Sequence, residues 1–165
     1  MAAKKPRKTT KTARAKKTSP RKAATKPAVA KSRAAGAPLT LRSAAPSFTV
    51  NDLQKSLAWY RDVLGCQVEE EWKNDEGVVR GMSLKAGDVS FMIGQDDWQK
   101  GRDRKKGEGF RIFCETKGSV DDIARRIQSK GGRLDQGPTD QPWGMRDISV
   151  TDPDGFKITI AKNLS

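Results

Sequence analysis

The chain contains no histidine, one tyrosine and only two cysteines in 165 residues. The missing imidazole excludes His-ligated zinc or iron, Ser-His-Asp and Cys-His nucleophiles, and acid–base work near neutral pH by that group. Cys66 and Cys114 do not form a CxxC pair, so they are expected to be reduced, packed thiols rather than a disulfide framework or a redox motif. No apolar run approaches the ~18 residues of a membrane helix, and the N-terminus lacks the apolar core of a secretion signal. An organelle transit peptide fits the acid-free, Ser- and Arg-containing start less well. Its apolar residues are almost all Ala, and Pro6, Pro20, Pro27 and Pro38 interrupt it. The expectation is a soluble cytoplasmic protein without a membrane partner.

Acidic and aromatic side chains are absent from residues 1–38, which hold 13 of the chain's 33 Lys and Arg. The other 20 balance the 20 Asp and Glu of residues 39–165, so the whole net charge of +13 sits in the first segment. Val29 is its only large aliphatic residue after Met1. Such a segment cannot bury enough surface to offset its ordering entropy, and disorder is expected. Lys4, Lys5, Arg7 and Lys8, then Arg14, Lys16 and Lys17, then Arg21 and Lys22 form clusters separated by Ala, Thr and Pro. They resemble the tails of linker histones and of similar bacterial proteins. These nine residues are the candidate nucleic-acid contacts, to DNA or RNA, through counterion release. Ten engaged charges would give log K a salt slope of about −9. With no aromatics among the charges, base stacking is not expected. The plainer alternative is a solubilising extension, and nucleoid association follows only if the tail binds.

The pattern changes at Leu39, and residues 39–165 are long enough for one domain with a core. Leu53, Leu57, Tyr60 and Leu64 lie on one helical face after Asn51 or Asp52 as N-cap, and Gly65 follows as terminator. A second helix opens at Ser119, with Asp122 three residues on. It carries Val120, Ile123, Ala124 and Ile127 on one face and closes at Gly131-Gly132. A shift of 67 residues lays the first helix on the second, which points to an internal duplication. Strand patterns are predicted at 45–50, 66–72, 78–85, 89–94, 110–116, near Arg133-Leu134, and at 146–151 and 156–161. Asp152-Pro153-Asp154-Gly155 is a strong turn between the last two. Each half reads β-α-β-β-β, and the polar segment 96–109 joins them.

The stretch Val50-Asn51-Asp52-Leu53 through Tyr60-Arg61-Asp62-Val63-Leu64-Gly65, with Asp152-Pro153-Asp154-Gly155 before Ile158-Thr159-Ile160, resembles the vicinal oxygen chelate superfamily. That superfamily comprises glyoxalase I, bleomycin-resistance proteins and extradiol dioxygenases. The resemblance spans about residues 41–162. It implies an α+β fold of two βαβββ modules whose mixed sheets curve into a cup around a ligand, commonly in a homodimer. It also implies a metal site of His with Glu or Gln on cup-facing strands. The matching positions here fall near Ala45, near Arg111 and at Thr159, none of which suits a divalent cation. No metal and no cofactor are therefore expected.

Candidate ligand-binding residues are Trp98 and Trp143, on loops at strand ends, and Arg111 and Arg146, flanked by apolar strand residues. Thr159 joins them if the resemblance holds, with Lys157 and Ala161 on its face. The alternative for the arginines is a salt bridge to Asp147, Glu115 or another acid. For the tryptophans it is packing, as expected for Trp59 and Tyr60. No carboxylate pair has the partners of an acid–base dyad, so no catalytic residue is assigned. Three functions stay open: metal-independent binding of an unidentified small molecule, for sequestration or sensing, with the tail on nucleic acid; a lyase- or isomerase-like enzyme with an atypical metal site or none; and a nucleoid-associated protein.

Overall fold

In a computed structural model, residues 39–165 are described, and Leu41–Ser165 form one folded unit. The nine candidate nucleic-acid contacts lie outside the described residues. Eight strands form two four-stranded mixed sheets. The first contains β1 (Ser47–Val50), β2 (Gln67–Lys73), β3 (Val79–Ala86) and β4 (Val89–Gln95) in the order β1-β4-β3-β2. The second contains β5 (Arg111–Glu115), β6 (Gln136–Asp140), β7 (Met145–Thr151) and β8 (Lys157–Asn163) in the order β5-β8-β7-β6. In each sheet the first strand runs parallel to the last, and the other pairs are antiparallel. Two βαβββ modules thus form the curved mixed-sheet cup. Among the described residues no helix is long and apolar enough to cross a membrane.

Helix α1 (Leu53–Ala58) starts where Asp52 accepts the Lys55 N–H at 3.0 Å, one of the unpaired donors that every helix start exposes. Residues Trp59–Leu64 then widen into a π-helical turn, closed by left-handed Gly65. An unbroken α-helix was the expectation. Apolar spacings of four, three and four do not separate α from π geometry over one turn, and the structure settles it when Gly65 N–H and Cys66 N–H both donate to the Tyr60 carbonyl. Helix α2 (Val120–Ser129) opens as expected, with Ser119 Oγ accepting the Asp122 N–H.

The short strand expected near Arg133-Leu134 lies later, at Gln136–Asp140. Gly137 and Pro138 make this segment read as a loop. It pairs with β7 across a bulge between Gln136 and Thr139, where proline's missing N–H does no harm.

One core serves both modules. Alternation turns Met82, Leu84, Phe91 and Ile93 of the first sheet and Ile148, Val150 and Ile158 of the second toward it, all nearly inaccessible. Phe48 stacks between the modules, its ring 4.4 Å from Phe156 and 6.5 Å from Phe91 between centroids. The opening and closing motifs meet here. Tyr60 Oη donates to Asp152 Oδ2 at 3.0 Å in the interior, and Asp154 accepts the Asn51 N–H and the Ser56 hydroxyl. Asp152 Oδ1 takes the N–H groups of Asp154 and Phe156, so the 152–155 turn is saturated. Burial lifts the Asp152 carboxyl above the usual carboxylate range and raises the Tyr60 phenol further.

Candidate functional site

The side of the second sheet away from the core gathers residues from four strands and one loop. Arg111 and Phe113 come from β5, Thr159 from β8, Asp147 and Ser149 from β7, and Gln136 from β6. Gln141 and Trp143 come from the loop between β6 and β7. Together they line an open cavity of about 310 Å³. The strand pattern explains the gathering. Ile148, Val150 and Ile158 point to the core, so Asp147, Ser149 and Thr159 must point the other way.

Two charged groups are held in fixed orientations. Arg111 Nη1 donates to Thr159 Oγ1 at 2.8 Å, across neighbouring strands whose register pairs Phe113 with Thr159. Asp147 is 5% exposed, and its Oδ1 accepts both Gln136 Nε2 at 3.1 Å and Gln141 Nε2 at 2.8 Å. Its Oδ2 accepts from no described residue, and no described cation pairs with the carboxylate. A buried carboxylate oriented by two neutral amides holds its charge in place without cancelling it. Phe113 and Trp143 are 54% and 64% exposed at the rim, which leaves two aromatic surfaces free for contact.

The expected site residues therefore separate. Arg111, Trp143 and Thr159 come together. Arg146 does not join them: on β7 it sits out of phase with Asp147. Its guanidinium bridges Asp121 at the start of α2 (2.8 and 2.9 Å) and Asp140 at the end of β6 (2.6 Å). Arg146 thus takes the ion-pair alternative, with acids other than Asp147 or Glu115. Hydrogen bonds to both carboxylates raise its pKa further, and the same bond to Arg146 holds Asp121 below the usual carboxylate range. Trp98 stands apart as well. It has left-handed φ of 61°, with its N–H bound to Asp96 Oδ1 and its ring 4.5 Å from the Arg102 guanidinium carbon. Buried Asp96 anchors that loop. Lys106 Nζ (2.7 Å) and Arg104 Nη2 (2.6 Å) both reach its Oδ2, and Lys106 foremost holds the carboxyl well below its usual range.

Sequence reasoning missed Phe113, Gln136, Gln141 and Ser149, and took Asp147 only as a counter-ion. The usable signal was alternation along β7, which puts Asp147 and Ser149 opposite two buried aliphatics. Nothing local marked the glutamines, because their shared partner is 6 and 11 residues away.

The donor set does not fit the divalent ion that the resemblance implies. By register, Met92 on β4 pairs with Ser47 as Thr159 pairs with Phe113. The corresponding positions near Ala45, at Met92, at Arg111 and at Thr159 thus offer a methyl, a thioether, a guanidinium and a hydroxyl. A guanidinium repels a cation, and the others lack the anionic oxygen or imidazole donors that divalent ions take. Among the described residues no three His, Cys, Asp or Glu side chains come together as a metal site.

Comparison with protein families matches residues 42–160 to the Glyoxalase/Bleomycin resistance protein/Dioxygenase superfamily. A search of curated proteins finds no match. Among solved structures, TioX from Micromonospora sp. ML1 superposes with a TM-score of 0.60 at 20% identity, covering 74% of this chain and 100% of that one. UcmS2 gives 0.62 at 16% identity, covering 77% and 100%. A glyoxalase/bleomycin resistance protein/dioxygenase from Nocardioides gives 0.59 at 16% identity, covering 78% and 87%. At these identities the likeness carries the fold alone.

Proposed function

Because the chain belongs to the glyoxalase/bleomycin resistance protein/dioxygenase superfamily but lacks that superfamily's metal-binding side chains, we propose that it binds a small organic molecule without a metal, to sequester it or report its presence. The observation that carries this reading is the pair of fixed, un-neutralised charges in the second sheet's cavity. Asp147 Oδ2 is positioned to accept from an N–H, O–H or ammonium group. The remaining donors of Arg111 suit a carbonyl, carboxylate or other acceptor. Phe113 and Trp143 at the rim suit a planar ring between those two ends. The exposure of these aromatics also supports a homodimer, in which a second copy closes the open side of the cavity.

The 13 positive charges of residues 1–38 support a second element of the proposal: the tail holds this binding domain, residues 39–165, on nucleic acid in the cytoplasm, without sequence preference. The test is native mass spectrometry of the full chain, followed by ligand titration read by intrinsic tryptophan fluorescence, with Trp143→Phe as the control. A retained organic mass at one per domain, lost in Arg111→Ala and in Asp147→Ala, supports the reading. Stoichiometric zinc, nickel, manganese or iron would overturn it in favour of a metal-dependent enzyme. For the tail, a gel shift across salt with and without residues 1–38 decides. Equal binding by both forms rejects the tether.

A further inference from the structure

A second cavity, of about 510 Å³, lies away from this site, between the two modules. At one end the modules are locked by Phe48 against Phe156 and Phe110. At the other they diverge. The turn between β3 and β4 forms one wall of the opening, and the end of β5 running into α2 forms the other. Phe91, Leu64, Val89, Cys114, Ile123 and Ile160 make the floor. By alternation the strand residues among them belong to the core faces, yet all but Phe91 are only half covered. A core seam left open in this way has lost packing partners on one side, and a cavity of this volume falls in the range of small-molecule sites.

The mouth is polar. Asp88 sits on one wall and Glu115 and Lys117 on the other, and none of the three makes a hydrogen bond or ion pair with a described side chain. Among the lining residues the mouth carries two carboxylates and one ammonium over an apolar floor, with the Arg126 guanidinium packed against Gly65. We propose that this inter-module cavity is a second binding site, which takes an apolar small molecule bearing a protonated amine, with the apolar body on the floor and the amine between Asp88 and Glu115. It is independent of the sheet-face site, with which it shares no lining residue.

Cys114 makes the proposal testable. Its thiol opens on the cavity floor, whereas Cys66 is 2% exposed and serves as an internal control. The full chain is treated with methyl methanethiosulfonate, which converts a thiolate to the mixed disulfide with release of methanesulfinate and spares amines, with n-octylamine or n-octanol as the probe, and labelling is read by mass spectrometry. Octylamine is expected to protect Cys114 saturably, at one molecule per chain. Octanol of equal length should protect about threefold less tightly, the size that exposed charges contribute. The double variant Asp88→Asn, Glu115→Gln should bring octylamine down to the octanol value. Ala86→Trp blocks the mouth from an exposed position and should abolish protection by both probes with circular dichroism and Tm unchanged. Ile123→Phe, which fills the floor, should do the same if the tryptophan variant folds poorly. Absent or unsaturable protection, or protection that survives in the blocked variants, overturns the site. Equal protection by amine and alcohol overturns the ligand class.

Discussion

The two sheets share one topology and one core, but their open faces differ in how they treat charge. On the first sheet, Glu69 accepts from Ser83 Oγ at 3.0 Å and from Lys85 Nζ at 3.4 Å, so acid and base cancel within the face. Trp72 lies across Gly81 so closely that a β-carbon there would approach its ring to 3.0 Å. A side chain there would have to push the ring aside, so the indole packs on the sheet itself. On the second sheet, Asp147 is held by neutral amides, Arg111 by a hydroxyl, and Trp143 stands free. Two modules of one topology thus leave one face with its charges paired and the other with charge to give to a ligand.

Breaking the shared scaffold should hurt both halves alike. Met82 on β3 and Ile148 on β7 are each wholly buried. Met82→Ala and Ile148→Ala should each cost about 2–5 kcal/mol in urea unfolding. A loss confined to one would show that the halves do not share a core.

The contrast between faces is sharpened by paired carboxylate removals. Asp147→Ala strands two glutamine amides and should cost about 1–3 kcal/mol of stability while abolishing ligand retention. Glu69→Ala, on an exposed and solvent-screened pair, should leave the urea midpoint and retention nearly unchanged. If Glu69→Ala lost the ligand instead, the assignment of the site to the second sheet would be wrong.

The buried hydroxyl that ties the halves together has an intermediate effect. Tyr60→Phe removes one of three donors to Asp152, and about 1–2 kcal/mol is expected from the altered unfolding midpoint.

The smallest effect is the acid response, in which two carboxylates act with opposite sign. Asp152 is raised in the folded state, so it binds a proton more readily there than in the unfolded chain. Its contribution to stability falls as pH rises from the usual carboxylate value through the raised one. Asp96 is lowered, so its contribution is complete above the usual carboxylate range and is lost as pH falls below it. Asp96→Asn should flatten the acid-side loss in a pH series of urea midpoints, and Asp152→Asn should remove the opposing trend. An unchanged profile in both would mean that neither anchor titrates as its surroundings imply.

Much of this architecture could be read along the chain because its signals are local. Caps at Asp52 and Ser119, the stop at Gly65 and the 152–155 turn all act within five residues, and the repeat of the helix pattern announced two modules. Pairing across distance was less readable. Arg146 and Arg111 look alike in sequence, each set among apolar strand residues. One is consumed by Asp121, 25 residues away, and the other is kept open by Thr159, 48 residues away. Trp98 and Trp143 both follow strand-end loops. Only the left-handed backbone at Trp98, with the cations gathered on Asp96, turns that ring into part of the connecting loop.

The order of residues alone therefore decided the segregation of charge, with a basic N-terminal segment and a neutral body, together with the paired module pattern and the loss of imidazole donors. These are properties of composition and short-range periodicity, and folding does not alter them. Tertiary structure decided which charges are spent and which remain. Whether a strand carboxylate or guanidinium finds an opposite charge or only a dipole depends on which strands become neighbours and in what register, and that is fixed when the sheets assemble.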